Sequence, residues 1–146
     1  MDAENTIIIN GNEFPFSPGE TILQVARKNS IEIPTLCYLK KASPTGQCRV
    51  CVVEVKGARS LVASCAAPAG KGMEVLTESA KVIEARRLII QLLLSSGNHN
   101  CAVFAGQDDN WTDFQLGVQK ADETADLCPV WGDCRLQDLA FRYQVQ

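Results

Sequence analysis

Apolar and β-branched residues near the N-terminus predict a small unit of strands and one short helix. Asn5 to Asn10 is rich in isoleucine, which favours a strand, and the Gly-Asn pair that follows favours a tight turn. A return strand is expected over residues 13–16, at a sheet edge because Pro15 has no backbone N–H to donate. Thr21 is a suitable N-cap for a helix that runs to about Asn29.

Three further strands are expected after a long loop. The valine-rich stretch from Arg49 to Val55 and the stretch from Leu61 to Cys65 predict a hairpin, and Met73 to Leu76 predicts one more strand. The order strand, strand, helix, loop and three strands predicts a compact mixed domain over residues 1–78 of an α+β protein.

From residue 79 onwards the apolar residues follow helical spacing. Ser79 can cap a helix that runs to about Leu94, whose apolar residues widen until they cover nearly the whole circumference. We therefore expect this helix to be buried on more than one side, as a connector between two bodies. Residues 102–127 are polar and acidic and favour at most one amphipathic helix, while Leu136 to Arg142 favours a short terminal helix.

The composition excludes several classes of protein. The chain has 146 residues, 46% of them hydrophobic and 21% charged, which is typical of a folded globular protein. A net charge of −3 argues against nucleic acid as the main partner, because phosphate binding needs a basic face. The longest apolar stretch, Leu88 to Leu94, is too short to span a bilayer, and the acidic N-terminus does not resemble a secretory signal. We expect a cytoplasmic protein with no direct membrane insertion.

Cysteine is the informative residue type. Seven cysteines are an odd number, whereas a disulfide framework favours an even one, and patterned thiols in a reducing compartment more often bind metal or take part in catalysis. They form a group of four, at positions 37, 48, 51 and 65, and a group of three, at positions 101, 128 and 134. The single histidine, His99, lies two residues before Cys101. These eight side chains are enough ligands for two metal centres.

The first group has the spacing C-x10-C-x2-C-x13-C over Cys37, Cys48, Cys51 and Cys65. A [2Fe–2S] cluster takes two thiolates at each iron, commonly from a long loop plus one distant cysteine. The loop is rich in small residues, which lets backbone N–H groups approach the inorganic sulfides. A four-cysteine zinc site is an alternative, although zinc ribbons normally carry two C-x2-C pairs; buried cysteines without a ligand are another.

These cysteines lie in segments that resemble a known family. The resemblance is carried by residues 33–38 (Ile-Pro-Thr-Leu-Cys-Tyr), 46–55 (Gly-Gln-Cys-Arg-Val-Cys-Val-Val-Glu-Val) and 63–68 (Ala-Ser-Cys-Ala-Ala-Pro). They are similar to the N-terminal ferredoxin domain of the large iron–sulfur subunit of respiratory complex I. The same module occurs in NAD-linked formate dehydrogenases, in iron-only hydrogenases and in the diaphorase part of NAD-reducing nickel–iron hydrogenases. The resemblance implies a β-grasp fold for residues 1–78 and a [2Fe–2S] cluster held by the four cysteines.

In that family a helix and then a [4Fe–4S] cluster, held by one histidine and three cysteines, follow the ferredoxin domain. Residues 92–101 (Leu-Leu-Leu-Ser-Ser-Gly-Asn-His-Asn-Cys) and 128–140 (Cys-Pro-Val-Trp-Gly-Asp-Cys-Arg-Leu-Gln-Asp-Leu-Ala) carry this part of the resemblance. It implies a small helical domain over residues 79–146. The implied ligands of its cluster are His99, Cys101, Cys128 and Cys134.

The chain departs from the family pattern between Cys101 and Cys128. Phe104 stands where the family has its second cysteine, and we expect Cys128 to replace that ligand across an insertion at about 105–127. An iron left open to water, as in a lyase-type or sensor cluster, is an alternative, and so is a surface or capping role for His99. The insertion is expected to form a partner-docking patch, a lid over the cluster or an excursion packed on its own domain.

The resemblance implies an electron-relay subunit. A flavin- and NAD(P)H-binding iron–sulfur subunit would lie on one side and a catalytic subunit, of the hydrogenase or formate dehydrogenase type, on the other, within a hetero-oligomer. The sequence shows no Gly-rich phosphate loop, no Ser/His/Asp set and no paired-carboxylate site, so catalysis by this chain alone is not expected. A freestanding ferredoxin-like carrier, an iron–sulfur redox sensor and a zinc-stapled interaction module are the alternatives.

Overall fold

The computed structural model describes residues 5–38, 46–96 and 134–145. Within these residues the chain forms five strands and three helices. They are, in chain order, β1 (Thr6–Ile9), β2 (Asn12–Pro15), α1 (Ile22–Lys28), β3 (Val52–Val55), β4 (Val62–Ala63), β5 (Glu74–Leu76), α2 (Ala80–Ser95) and α3 (Arg135–Arg142). The mixed domain of strands and helices that the hydrophobic pattern predicts is confirmed.

The five strands form one mixed sheet in the order β2-β1-β5-β3-β4. β1 pairs antiparallel with β2 and parallel with β5, and β3 pairs antiparallel with both β4 and β5. β2 lies at an edge of the sheet, as its Pro15 predicts. The parallel pairing places Ile9 beside Val75, so the two ends of the first domain meet at the centre of the sheet.

Both helix N-caps predicted from the sequence are present. The Thr21 hydroxyl accepts the N–H of Gln24 at 3.3 Å, and the Gln24 side chain accepts the N–H of Thr21 at 2.8 Å, so α1 begins with a complete capping box. The Ser79 hydroxyl accepts the N–H of Val82 at 3.4 Å at the start of α2. These contacts are local, which is why the sequence pattern identifies them.

β3 begins three residues later than its sequence predicts, at Val52 and not at Arg49. Arg49 has a φ of +59°, in the left-handed region, and its carbonyl accepts the N–H of Val52 at 3.3 Å. Val50 and Cys51 therefore lie on a turn, although their side chains suit a strand.

The described residues form two hydrophobic cores. The first core is formed by the strands, α1 and the segments next to them; its buried members are Ile7, Ile9, Ile22, Leu23, Val25, Ala26, Ile33, Cys51, Val53, Ala63, Cys65 and Val75. The second core joins the turn before β3 to α2 and α3; its buried members are Val50, Ile90, Leu139 and Tyr143. The turn before β3 therefore contributes to both cores, through Cys51 to the first and through Val50 to the second.

Within residues 5–38, 46–96 and 134–145, the expected burial of α2 on more than one side is not found. Its buried side chains are Val82, Arg86 and Ile90, one stripe at four-residue spacing. Leu88 and Leu92, which widen the apolar pattern, are 57% and 61% exposed. The described part of the chain covers one face of this helix, and a charged residue occupies the middle of that face.

The terminal helix predicted over Leu136 to Arg142 is confirmed as α3. The insertion at about 105–127, the amphipathic helix considered within 102–127 and three of the predicted ligands of the second cluster lie outside the described residues. No helix in the described ranges is long and apolar enough to cross a membrane.

Candidate metal centre

Three separate segments present the four cysteines of the first group. Cys37 lies on the segment that leaves α1, Cys48 and Cys51 lie on the turn before β3, and Cys65 follows β4. Cys51 and Cys65 are each 1% exposed, whereas Cys37 and Cys48 are partly exposed. The group therefore has one side within the first core and another side toward solvent.

The ionisation of Cys65 depends on its burial and on the other cysteines of this group. Burial has the largest effect on Cys65; with a hydrogen bond to Cys51 and the charges of Cys51, Cys37 and Cys48, it raises the pKa of the Cys65 thiol to about 12. A thiolate at Cys65 is thus disfavoured while the sulfurs face one another alone. Positive charge from bound iron would favour the Cys65 thiolate, because metal binding displaces thiol protons.

Ser64 connects the two buried cysteines. Its hydroxyl donates a hydrogen bond to the Cys51 carbonyl at 2.7 Å, and its N–H donates to the same oxygen at 3.2 Å. Ser64 is fully buried and directly precedes Cys65. The pairing of Val52 with Ala63 extends the connection into β3 and β4. The sheet therefore fixes the backbone on the buried side of the group.

The turn that carries Cys48 uses left-handed backbone at two residues. Gly46 has a φ of +61° and Arg49 a φ of +59°. Such turns can direct successive N–H groups into one concavity, a geometry found at anion and iron–sulfur sites. Among the described residues, no backbone carbonyl accepts the N–H groups of Arg49, Val50 or Cys51. These donors can serve the inorganic sulfides of a cluster.

Arg27 of α1 contacts residues on both sides of Cys37. The Arg27 guanidinium lies 4.6 Å from the centre of the Tyr38 ring and donates a hydrogen bond to the Thr35 hydroxyl at 3.0 Å. Both contacts attach the segment that contains Cys37 to α1. Cys37 is thus supported from α1, and Cys51 and Cys65 are supported from the strands.

This donor set fits a [2Fe–2S] cluster. Within residues 5–38, 46–96 and 134–145, no three His, Cys, Asp or Glu side chains form a group that could hold one metal ion. A [2Fe–2S] cluster requires two thiolates at each of two irons, whereas a structural zinc site requires four ligands around one ion. Four thiols meet either requirement by number, and the assignment of the individual ligands stays a prediction.

Of the predicted ligands of the second cluster, Cys134 lies within the described residues. It occupies the N-cap position of α3 with extended backbone, is partly exposed, and makes no side-chain capping hydrogen bond. His99, Cys101 and Cys128 lie outside the described residues. The ligand set of the second cluster therefore stays a prediction as well.

Sequence reasoning missed a buried arginine that contacts Val52, the residue after Cys51. Arg86 Nη1 donates to the Glu78 carboxylate and to the Tyr143 hydroxyl, both at 2.8 Å, and Nη2 donates to the Val52 carbonyl at 2.8 Å. The signal in the sequence was its place between Val82 and Ile90 at four-residue spacing, on the apolar stripe of α2.

Some known proteins match nearly the whole of this chain, and others match part of it. The chain is 37% identical over 146 residues to HndD, a subunit of the NADP-reducing hydrogenase of Solidesulfovibrio fructosivorans, covering 97% of this chain and 21% of that protein. It is 33% identical over 137 residues to the G subunit of the NADH-quinone oxidoreductase of Rickettsia prowazekii, covering 94% and 17%. It is 38% identical over 95 residues to the gamma subunit of the NAD-reducing hydrogenase HoxS of Cupriavidus necator, covering 65% and 40%.

Among solved structures, a crystal structure of NAD+-reducing [NiFe]-hydrogenase in the H2-reduced state matches with a TM-score of 0.70 and 32% identity. The match covers 99% of this chain and 50% of that one. The chain thus spans between 17% and 40% of the length of these curated relatives. A family model described as a 2Fe-2S iron-sulfur cluster binding domain matches residues 2–80, more than half of the chain. The chain therefore belongs to the 2Fe-2S iron-sulfur cluster binding domain family.

Proposed function

We propose that the chain is an electron-transfer module whose [2Fe–2S] cluster is held by Cys37, Cys48, Cys51 and Cys65. One observation carries the proposal: Cys65 interacts with the other three cysteines, which come from two other segments, at a site half inside the first core. When bound, the cluster takes up one electron and returns it. Membership of the family supports the cofactor.

The surrounding residues would control access to this cluster. Cys51 and Cys65 belong to the first core, which excludes water from one side. Cys37 and Cys48 are partly exposed, so the shortest path for an electron to a partner protein leads through their side. The sheet order β2-β1-β5-β3-β4, with α1 after the first hairpin, supports the β-grasp assignment for residues 1–78.

The second half of the proposal is a [4Fe–4S] cluster held by His99, Cys101, Cys128 and Cys134 in a helical domain over residues 79–146. The match to the hydrogenase protein HndD, which covers 97% of this chain, supports a module that extends beyond the first domain. Cys48 and Leu136 both pack against the second core, so the start of α3 lies on the same side as the turn before β3. A neutral imidazole in place of one thiolate makes the cluster less negative and raises its potential.

The partners follow from the same relatives. These proteins are named as subunits of NADP-reducing and NAD-reducing hydrogenases and of an NADH-quinone oxidoreductase. For this chain the proposal is a hetero-oligomer in which it relays electrons. A flavin- and NAD(P)H-binding iron–sulfur subunit would lie on one side and a catalytic oxidoreductase subunit on the other. The chain itself would position and insulate the clusters without catalysing a reaction.

Metal analysis of the anaerobically purified chain tests the cofactors. We expect about six irons, matching acid-labile sulfide, and two distinct EPR signals after reduction with dithionite. The variant Cys134→Ser should retain about two irons and the [2Fe–2S] signal. A colourless protein that contains zinc would contradict the proposal, and a Cys134→Ser variant with both signals unchanged would contradict the second ligand set.

Purification from native cells tests the relay. A tagged chain isolated anaerobically should carry stoichiometric flavin from its partner subunit, and NAD(P)H should bleach the visible absorbance of its clusters. A Cys65→Ser chain isolated in the same way is the matched control, in which the [2Fe–2S] part of the bleaching is lost. A chain that is isolated alone and without flavin would instead indicate a freestanding carrier.

A further inference from the structure

Arg86 is a fully buried cation at the junction of three segments. Its guanidinium bonds to Glu78 before α2, to Val52 at the start of β3 and to Tyr143 after α3, each at 2.8 Å. The Tyr143 ring centre lies 5.8 Å from the guanidinium carbon. A buried charge is costly to maintain, and an arginine interior to a small iron–sulfur protein therefore needs a physical explanation.

The counter-charge to Arg86 is incomplete. Glu78 is its one anionic contact among the described residues, and this carboxylate is 44% exposed and also lies 3.9 Å from Arg142. The other two acceptors, Val52 and Tyr143, are neutral. Arg86 Nε has no hydrogen-bond partner among the described residues. Water screens Glu78 more than it screens the guanidinium, so the field around Arg86 is net positive.

The positive charge of Arg86 can act on the first cysteine group because its carbonyl acceptor is adjacent in the chain to one of these cysteines. Val52, whose carbonyl accepts from Arg86, directly follows Cys51, one of the two buried cysteines. Cys51, Val52 and Arg86 are all buried, so the short stretch of chain that links the cation's acceptor to this cysteine is shielded from solvent. A charge in such a place acts with little screening.

We propose that Arg86 tunes the [2Fe–2S] cluster by stabilising its reduced form, and so raises its reduction potential. The inference rests on the proposed function, since it needs the cluster. Reduction adds one negative charge, and a nearby cation stabilises that charge more than it stabilises the oxidised state. Arg86 is a positioning residue too, because the same guanidinium holds β3 and the end of α3 together.

The test is an EPR-monitored redox titration of the full chain with its cluster, comparing wild type with Arg86→Met and Glu78→Gln. Removing the cation should shift the midpoint potential of the [2Fe–2S] signal downward, and removing the anion should shift it upward. Glu78 is partly exposed and the Gln keeps an acceptor for Arg86, so this variant answers the question even if Arg86→Met does not fold.

Three further variants separate charge from structure. Tyr143→Phe removes a hydrogen bond to Arg86 without changing charge, and Arg86→Lys keeps the charge, so both should leave the potential near that of wild type. Lys56→Met removes the cation of a comparable pair, in which Glu74 is 43% exposed but Lys56 is 75% exposed. Water screens that exposed lysine, and its loss should not move the potential.

The outcomes are distinct. Opposite shifts of the midpoint potential in Arg86→Met and Glu78→Gln, with the three controls unchanged, support the proposal. If Arg86→Met does not fold, an upward shift in Glu78→Gln supports it. An unchanged potential in both charge variants, or an equal shift in Tyr143→Phe, would overturn it and show a purely structural arginine. If wild type itself shows no [2Fe–2S] signal, that result contradicts the proposed function and not the role of Arg86, because the cluster whose potential Arg86 would tune is then absent.

Discussion

The two cores are built in different ways. Among the described residues, the first core draws twelve buried apolar and cysteine side chains from residues 7–75, whereas the second core has four buried members, taken from positions as far apart as Val50 and Tyr143. Next to the second core lies the hydrogen-bonded cation Arg86. Hydrophobic burial therefore holds the first cysteine group, while the hydrogen bonds of Arg86, here called the polar junction, attach the second core to β3.

Loss of a buried cysteine should have the largest effect and should be confined to one region. Cys65→Ser is expected to remove the [2Fe–2S] cluster almost completely, because a serine hydroxyl is a poor ligand for iron–sulfur clusters. Iron analysis and EPR would show the loss of about two irons and of one signal. Ser60→Ala, at an exposed loop residue, is the control and should lose neither. Retention of the full [2Fe–2S] signal in Cys65→Ser would mean that another residue is the ligand.

Two matched substitutions, each of which creates a cavity in one core, allow a comparison of the stability of the two cores. Ile9 and Ile90 are both fully buried, so each change to Ala should lower the free energy of unfolding by about 2–5 kcal/mol. Ile9→Ala is expected near the upper end, because the paired strands around it cannot collapse, and Ile90→Ala near the lower end, because several of its neighbours are partly exposed. Urea unfolding of the two variants measures the difference. A greater loss in Ile90→Ala would reverse our ranking of the cores.

The polar junction can be weakened without making a cavity. Tyr143→Phe removes the hydrogen bond from Arg86 to the tyrosine hydroxyl and should cost about 2 kcal/mol, since bonds to charged groups are worth roughly 1.5–3 kcal/mol. Tyr38→Phe, near the first cysteine group, should change stability by less than about 0.5 kcal/mol. Equal unfolding free energies for the two variants would count against a special role for the junction.

A smaller effect is expected where two donors share one acceptor. Ser64→Ala removes the hydroxyl that donates to the Cys51 carbonyl, but the N–H of the same residue still donates to that oxygen. We expect a loss of about 1 kcal/mol in unfolding free energy and faster release of iron to a chelator. Iron release at the wild-type rate would show that this contact does not support the site.

The smallest effect concerns the link between β3 and the start of α2. A hydrogen bond from Ser79 is the largest cause that lowers the pKa of the Glu54 carboxyl, and the charge of Lys81 acts in the same direction. A lowered pKa in the folded state means that the contribution to stability is present above ~pH 4.3 and is lost as the pH falls through the folded pKa. Glu54→Gln should therefore flatten the acid side of the stability curve, measured by urea unfolding between ~pH 5 and ~pH 3. An unchanged slope would contradict this.

The sequence predicts the features whose signals are local better than those that depend on distant contacts. Thr21, Pro15 and Ser79 act within a few residues of their own positions, and each is found in the predicted role. The left-handed turn at Arg49 and the burial of Arg86 depend on tertiary contacts, with Tyr143 lying 57 positions from Arg86. A helical pattern shows which face is apolar but not which of its leucines a partner will cover, so the exposure of Leu88 and Leu92 was missed.

Iron-edge anomalous diffraction from crystals of the anaerobically purified chain would locate the irons of the proposed cluster. We expect two neighbouring iron peaks between the sulfurs of the first group, each with two of these cysteines as ligands: Cys37, Cys48, Cys51 and Cys65. A single peak at this site, a peak at the zinc edge, or iron bound away from Cys65 would contradict this expectation.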